Sequence, residues 1–427
     1  MRVNDRAVPA TTGVRPPRPN GWRADLFVAV ERLPTAAYHW DDYVAAWGRS
    51  GFVWDDVAVA VAMTDVTCDL AGVEIEVGNP DDEGRMDAGH LTMTLLNAFG
   101  QWSQYDAFGR LTAYEPGSRL DVWARHNGED WWLFSGIVAA WDEAADGTVE
   151  VEAFDRFADL ARPIGTWSPG TRGQLPHERL ATILTNTAPT VARRLDVGQV
   201  TLHAFDTTAS PLEEAQAVAQ SDGGYVVVDA DGTILYRNRA WTGGRADQTE
   251  IRKFSDNVCG TRSMVWDARL ATDDDVKATD VTLTNVEDVA ARSTVPGRLF
   301  AYTRKGDQWM LATEGQTLAD AMIRRRSQSY LRVDGFTMHL LDPQQNLWRA
   351  GLDLRMGDLV RFLHDQATPT GTARLDLNLV VQAITHRITP EVWELDVSTT
   401  RAVGNNIIYR WDGPGMAWDR APAEWTN

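Results

Sequence analysis

The sequence predicts a mainly β fold with α+β insertions, in which two similar β-barrel or sandwich domains flank a mixed α/β middle region. The main observation is a three-strand pattern that occurs near residue 115 and returns in the same order near residue 355. Between the two copies, the spacing of apolar residues changes from period two to that of a helix. The strands of the two copies lie at 116–122, 134–141 and 148–153, and at 356–362, 381–388 and 392–397.

Each copy begins with a turn glycine, Gly117 or Gly357, and continues into a strand with alternating apolar residues. The second strand carries Gly-Ile or Ala-Ile, and the third alternates again. Alternation at period two places one face of a strand in a core and the other in solvent. Two such domains in one chain would let a trimer present six similar surfaces. The alternative is a chance likeness, because any two antiparallel meanders share part of this pattern.

The N-terminal part, residues 1–54, is expected to hold an arm and leading strands. Residues 1–22 are basic and rich in proline, with too few apolar residues to fold alone. They are either a free terminus or an arm that orders against a partner. The first barrel is expected at 55–160, with strands at 26–30 before it and in 52–77, 90–97, 119–122, 131–141 and 149–154, and a loop at 78–89.

An α+β middle domain is expected at 161–255, because apolar residues over 176–184 have helical spacing. A second helix is predicted where Ser210 is a suitable N-cap and Pro211 fits the first helical position. Glu213 stands at the third position, where it completes a capping box.

The clearest local element is a hairpin at 225–236, whose tight turn is predicted to take its positive-φ residues from Asp231 and Gly232. A second middle β/α domain is expected at 256–328, with strands over 258–285 and a helix capped by Thr317. The second barrel is expected at 329–402 and a turn-rich, Trp-containing tail at 403–427.

Composition narrows the function. A chain of 427 residues suggests two to four domains, and its net charge of −19 argues against nonspecific binding of duplex DNA. The two cysteines, Cys68 and Cys259, are too far apart to form a disulfide framework or a metal knuckle, and we expect both to be small buried residues in a reducing compartment. We expect no signal peptide and no membrane-spanning segment.

The sequence motifs that could form a metal-binding or catalytic site are weak. Asp229 to Gly232 resembles the start of a calcium loop, but Ala240 stands where the bidentate Glu belongs, so a hairpin turn is preferred. The acidic turn at 273–275 offers closely spaced oxygens for a cation, and a solvated turn is the simpler interpretation. Glu143 and Glu150 are one of many acidic pairs that glycoside hydrolysis would require.

The histidines form no metal-binding pair, and the default for His126, His364 and His386 is a surface or core imidazole. The sequence also has no nucleophile elbow and no phosphate-binding loop. We therefore predict no catalytic, cofactor-binding or metal-binding residue, no cofactor and no enzyme activity.

Stretches in three regions of the chain resemble the tail-tip (baseplate) hub proteins of long-tailed bacteriophages. In the first barrel these are Gly89 to Asn97, Trp102 to Tyr105, Tyr114 to Leu120 and Trp132 to Ile137. The hairpin from Gly224 to Arg239 is similar to the middle-domain hairpin of that family, and 354–358, 384–389 and 393–397 resemble its closing barrel. The likeness covers about residues 55–400 and leaves out the arm and the tail.

The resemblance implies a homotrimeric, pseudo-sixfold ring in the virion, at the tail tip, assembled in the host cytoplasm. Such a ring would join the tail tube or distal tail protein to a central fibre or spike protein. It would surround the path of the tape-measure protein and of the genome DNA, which would pass through without specific binding.

Two other functions stay open from the residues. Trp102, Trp131 and Trp132, among 18 Trp in all, could serve a carbohydrate-binding tail or receptor-binding protein that stacks sugars on aromatic rings. A peptidoglycan hydrolase fused to a hub is the third possibility, although the chain has no spare segment with a catalytic pattern of its own.

Overall fold

The computed structural model describes residues 25–32, 62–78, 86–104, 116–239, 252–255, 263–271, 277–327, 332–341, 347–368, 371–401 and 407–410. Within these ranges the protein is mainly β, as the sequence predicts. The predicted arm at 1–22, Cys259, the acidic turn at 273–275 and the tail beyond residue 410 lie outside the described residues.

The strands in chain order are β1 (Asp25–Arg32), β2 (Ala62–Asp65), β3 (Leu70–Gly78), β4 (His90–Leu96), β5 (Arg119–His126), β6 (Glu129–Glu143), β7 (Thr148–Asp155), β8 (Arg193–Leu195), β9 (Tyr225–Val228), β10 (Ile234–Arg237), β11 (Arg252–Ser255), β12 (Ser263–Met264), β13 (Trp266–Ala271), β14 (Asp280–Asn285), β15 (Ala290–Thr294), β16 (Ala301–Asp307), β17 (Arg332–His339), β18 (Leu359–Thr368), β19 (Gly371–Ile388), β20 (Trp393–Arg401) and β21 (Ile407–Arg410). The helices are α1 (Phe157–Leu160), α2 (Pro176–Thr187), α3 (Pro211–Ser221), α4 (Ala312–Arg326) and α5 (Trp348–Leu352).

Fifteen of these strands form one continuous sheet, and fourteen of them fall into two sets with the same order of neighbours, while β21 pairs with β19 outside both sets. The first set runs β2-β1-β5-β6-β7-β4-β3 and the second runs β12-β11-β18-β19-β20-β17-β13. The two sets differ in direction at two places. β1 is antiparallel to β5 whereas β11 is parallel to β18, and β1 is antiparallel to β2 whereas β11 is parallel to β12. Strands β11 to β13 lie in ranges predicted for the middle domains, yet β11 and β13 pair with strands of 329–402, and β12 pairs with β11. The division into six domains stays a prediction.

Alternation along the strands builds the core. On β4, Leu91, Met93 and Leu95 are buried while the residues between them are half-buried, as period two requires. Most buried apolar residues of both strand sets belong to one cluster with members from Val28 to Val397, while Ala29, Trp123 and Trp132 form a small separate cluster. Burial of this shared core therefore stabilises both sets together.

The middle region has its own apolar core, formed by two three-stranded sheets and the helices α2, α3 and α4. A buried polar network crosses it. Arg179 Nη1 on α2 donates to Gln308 Oε1 at 3.2 Å, and Gln308 Nε2 donates to Glu214 Oε1 on α3 at 2.8 Å. Burial lowers the pKa of Arg179 and raises the pKa of Glu214. The pair is held by complementary charge inside a core, so loss of either member leaves an uncompensated group.

The first predicted helices are confirmed. Helix α2 begins at Pro176, and α3 begins after Ser210, whose Oγ accepts from the Glu213 N–H at 3.2 Å. Glu213 Oε2 in turn accepts from the Ser210 N–H at 2.8 Å, which completes the capping box.

The hairpin at 225–236 is also confirmed, but only Gly232 has a positive φ, of 80°. The prediction is wrong for Asp231, because the Gly232 N–H donates to the Asp229 carbonyl at 2.8 Å and closes a turn in which Asp231 does not take a positive φ. Its Oδ1 accepts from the Thr233 N–H at 2.9 Å.

Two further predictions are corrected. Helix α4 starts at Ala312 and Thr317 lies inside it, because Glu314 Oε2 accepts from the Leu311 N–H at 3.1 Å and caps the helix six residues earlier than predicted. Cys68 is exposed and not buried, since it lies on a short 3-10 turn at Thr67–Asp69 between β2 and β3. Partial burial and then the neighbouring Asp69 raise the pKa of its thiol.

Candidate assembly interface

The two strand sets are joined edge to edge, where β19 pairs with β3. The pairing is antiparallel over six residue pairs, from Ala383 opposite Gly78 to Ile388 opposite Val73. The same segment of β19 pairs with β20 on its other edge. This junction makes the fifteen-stranded sheet continuous, so backbone hydrogen bonds and not only side chains connect the sets.

The two sets also share a pattern of backbone hydrogen bonds near the middle of β6 and of β19. The Gly117 N–H donates to the Val138 carbonyl at 2.8 Å, and the Val138 N–H donates to the Ser118 carbonyl at 2.8 Å. Gly117 has a φ of 97°, which favours glycine at this turn.

The second set repeats that pattern. The Gly357 N–H donates to the Val381 carbonyl at 2.7 Å, and the Val381 N–H donates to the Asp358 carbonyl at 3.0 Å. A bulge follows in both sets, at Val138/Ala140 and at Val381/Ala383. Val138 and Val381 therefore occupy the same position, which lets the other residues of the two sets be matched by counting along the strands.

The junction carries an ion pair on its outer face. Arg387 Nε lies 2.7 Å from Glu74 Oε1 across the two strands, and Arg387 Nη1 lies 3.3 Å from Glu394 Oε1 on β20. These side chains are about half exposed, so the pair contributes no more than about 1 kcal/mol. Its role is to favour one partner and one register over others.

The inner face of the junction is aromatic. His386, opposite Ile75 in the pairing, is buried, and its Nδ1 accepts from Trp393 Nε1 at 3.3 Å. Burial, with Arg355 as a smaller contribution, lowers the pKa of His386 to about 3. Trp348 packs edge-on against Trp393 at 5.0 Å between ring centroids. The imidazole is thus a neutral core group at neutral pH.

The acidic pair considered for glycoside hydrolysis does not converge. In the pairing of β6 with β7, Glu143 lies opposite Val149 and Asp142 lies opposite Glu150. Residues opposite one another point to the same face of a sheet, and adjacent residues point to opposite faces. Glu143 and Glu150 therefore lie on different faces and do not form a pair.

The three tryptophans considered for sugar stacking are buried. Trp102, Trp131 and Trp132 expose 6%, 6% and 2% of their surface. Trp102 Nε1 donates to Asp69 Oδ2 at 3.1 Å, and Trp102 accepts at its carbonyl from Trp141 Nε1 at 2.9 Å. A glycan would need exposed rings, which these residues do not provide.

The remaining candidates are structural as well. Asp229 and Asp231 use carboxylate oxygens to accept backbone N–H groups of their own turn. His126 is buried beside Trp131 and Trp348, and His364 lies on β18. Among the described residues there is no cluster of three metal-ligating side chains and no helix that could cross a membrane.

Comparison with known proteins bears on this fold. No family model and no curated protein matches the sequence. A tail protein from Neisseria meningitidis MC58 has a similar structure, with a TM-score of 0.55, 11% identity and coverage of 78% of this chain and 92% of that chain. At this identity the likeness establishes the fold, which is that of a known tail protein.

Two other solved structures have lower scores. The 43 kDa tail protein of prophage MuSo2 from Shewanella oneidensis has a TM-score of 0.49 at 16% identity, covering 80% of this chain and 94% of that chain. The prophage tail protein gp18 from Listeria monocytogenes EGD-e has a TM-score of 0.44 at 12% identity, covering 79% and 91%.

Proposed function

We propose that this chain is a structural hub at the tail tip of a bacteriophage, built as a homotrimeric, pseudo-sixfold ring of two barrels per subunit. The observation that carries the proposal is the pair of strand sets with one order of neighbours, joined by their edges in one sheet. Three chains built this way supply six similar units, which is what a ring needs to match sixfold neighbours on one side and threefold neighbours on the other.

The similar fold of a known tail protein supports a place in the virion tail. In the proposed role, the ring joins the tail tube or distal tail protein to a central fibre or spike protein. The tape-measure protein and the genome DNA pass through its centre, and the net charge of −19 suits a channel that does not hold DNA. No step of this role requires catalysis or a cofactor.

Multi-angle light scattering of the purified chain tests the proposal, with a mass of three chains as the expected result. Electron microscopy of the same sample should show rings with six lobes. A twofold dimer, or a virion reconstruction that places the chain on a peripheral fibre, would contradict the proposal.

The basic arm provides a second test. Deletion of residues 1–22 should weaken assembly with tail partners and leave the thermal unfolding temperature of the isolated chain unchanged. Normal incorporation of the shortened chain into particles would remove the arm from the proposed role.

A further inference from the structure

We infer that the subunits of this ring are held together by a second copy of the junction seen inside the chain. The edge of β6 at 140–144 in one subunit pairs with β13 of the next subunit, as β19 pairs with β3 within one chain. The inference rests on the proposed trimeric hub and names its subunit interface.

The two edges concerned are the counterparts of the two that already pair. In the second set, residues 383–388 of β19 have β20 on one edge and β3 on the other. In the first set, the matching end of β6 pairs with β7, and no other strand in the described part of the chain pairs with it beyond Val138. Likewise β3 has two neighbours, whereas β13 has only β17 among the described strands.

An unpaired strand edge presents a row of N–H and C=O groups that favour another strand. Among the described strands, one chain thus has an edge of the β19 type and an edge of the β3 type without a partner strand. Pairing between these different edges is head-to-tail, so it generates a ring when the rotation closes. A dimer in which two identical edges meet would leave the other edge of each subunit unused.

The matched positions follow from the shared bulge. Asp142 lies four residues after Val138, and Thr385 lies four residues after Val381, so the two correspond. By the same count, Ala144 corresponds to Arg387.

On the opposing strands, Arg269 corresponds to Glu74 and Leu270 to Glu76. This match is made through the partner strands. β13 pairs with β17 as β3 pairs with β4, and the positions of β17 and β4 are matched through their own pairing with β20 and β7. In the pairing within the chain, Thr385 lies opposite Glu76. The proposed pairing therefore places Asp142 of one subunit opposite Leu270 of the next.

Both junctions bring a positive side chain near a negative one, but the strands that carry the two signs are exchanged. Within the chain, Arg387 of β19 meets Glu74 of β3. Between subunits, Asp142 of β6 would lie diagonally across from Arg269 of β13, whose side chain is half exposed. A wrong pairing of β6 with a β3 edge would set Asp142 against carboxylates. Because the signs are exchanged, charge repulsion would disfavour the wrong pairing and each edge would pair with its proper partner.

The β13 edge carries one partly exposed apolar side chain, Leu270, which is 37% exposed. Its burial against the next subunit adds an apolar contribution to the backbone pairing.

Cysteine cross-linking tests the pairing directly. The chain carries Asp142→Cys and Leu270→Cys in a background with Cys68→Ser and Cys259→Ser, and is oxidised under mild conditions. We expect covalent dimers and trimers on a denaturing gel. Each single-cysteine variant should yield no ladder to trimers.

The chain supplies a matched control for the geometry. Thr385→Cys with Glu76→Cys occupies the corresponding positions inside one chain, so it should form an intrachain disulfide in a monomeric band at similar oxidant concentration. Its formation shows that cysteines at this register can bridge.

A charge variant adds a readout without cysteine. Asp142→Arg should shift the trimer to monomers in light scattering, whereas Glu129→Arg at the other end of β6 should leave the trimer unchanged. Both residues are exposed, so the circular dichroism of both variants should match that of the parent chain.

The outcomes separate the two proposals. A trimer whose Asp142→Cys, Leu270→Cys variant stays uncross-linked while the control bridges would overturn this interface and leave the trimeric hub intact. A parent chain that forms a twofold dimer, or that forms a trimer neither alone nor together with its tail partners, would overturn both.

Discussion

The buried His386 provides a quantitative prediction, because its pKa differs strongly between the folded and unfolded chain. Its pKa is about 3 when folded, against an ordinary value of 6.5. The folded chain thus binds this proton more weakly than the unfolded chain. The stability from the neutral imidazole is fully present above pH 6.5 and is lost as the pH falls from 6.5 towards 3.

The size of the effect follows from the gap between the pKa values. A pH of 5 is 1.5 units below the ordinary imidazole pKa of 6.5. The imidazole of the unfolded chain is therefore mostly charged at pH 5, while that of the folded chain stays neutral. Each unit corresponds to about 1.4 kcal/mol, so acidification from pH 7.5 to pH 5 should cost about 2 kcal/mol from this group alone.

Other buried groups have pKa shifts in the opposite direction, and their effect on stability must be separated from that of His386. Burial raises the pKa of Asp155 to about 7, so this carboxyl contributes stability below its ordinary pKa of 3.8 that is lost as the pH rises through 7. The total pH dependence of the chain is therefore a sum of opposing contributions. A comparison of two variants at each pH isolates the contribution of His386.

The test is His386→Gln, which keeps an acceptor for the Trp393 indole and removes the titrating ring. Urea unfolding followed by Trp fluorescence at pH 7.5, 6 and 5 gives the free energy of unfolding of both chains. We expect the difference between parent and variant to change by about 2 kcal/mol in favour of the variant at pH 5. A difference that stays constant with pH would show that the imidazole is not held neutral at the β19–β3 junction.

Two further predictions concern packing. Arg179→Met should lower the free energy of unfolding by about 3 kcal/mol, because it leaves Glu214 buried without its charge partner, and Arg179→Met with Glu214→Leu should recover much of that loss in a double-mutant cycle. Gly136→Ala should cost about 2 kcal/mol in urea unfolding, because the new Cβ would lie 2.2 Å from the Phe154 carbonyl oxygen. Gly72→Ala, whose nearest contact would be at 3.6 Å, is the matched control, and an equal loss in both would refute the steric argument.

Local elements could be read from the sequence because their causes are local. The capping box at Ser210 and Glu213 depends on residues three apart, and the hairpin at 225–236 on its turn and alternating strands. The start of α4 was misplaced because two capping arrangements compete within a few residues, and Glu314 wins over Thr317. Period two also gave most strands of the first set, including β4 and β7.

Long-range pairing could not be predicted from the sequence. Nothing local in β3 indicates that its second edge meets β19, more than 300 residues later, or that β11 lies parallel to β18. The burial of Trp102, Trp131 and Trp132 could not be predicted from the sequence either, since the sequence pattern around a strand Trp is the same whether its side chain faces solvent or a core.

The sequence by itself determined the mainly β class, the repeated three-strand pattern and the starts of α2 and α3, because turns, caps and alternation act over a few residues. Only the tertiary structure decided which edges meet, which carboxylates share a face and that His386 is enclosed at the junction. The physical reason is that strand pairing uses the same backbone groups in every sequence. The choice of partner therefore depends on the whole core and on charges such as Arg387 and Glu74, which come together only when the chain has folded.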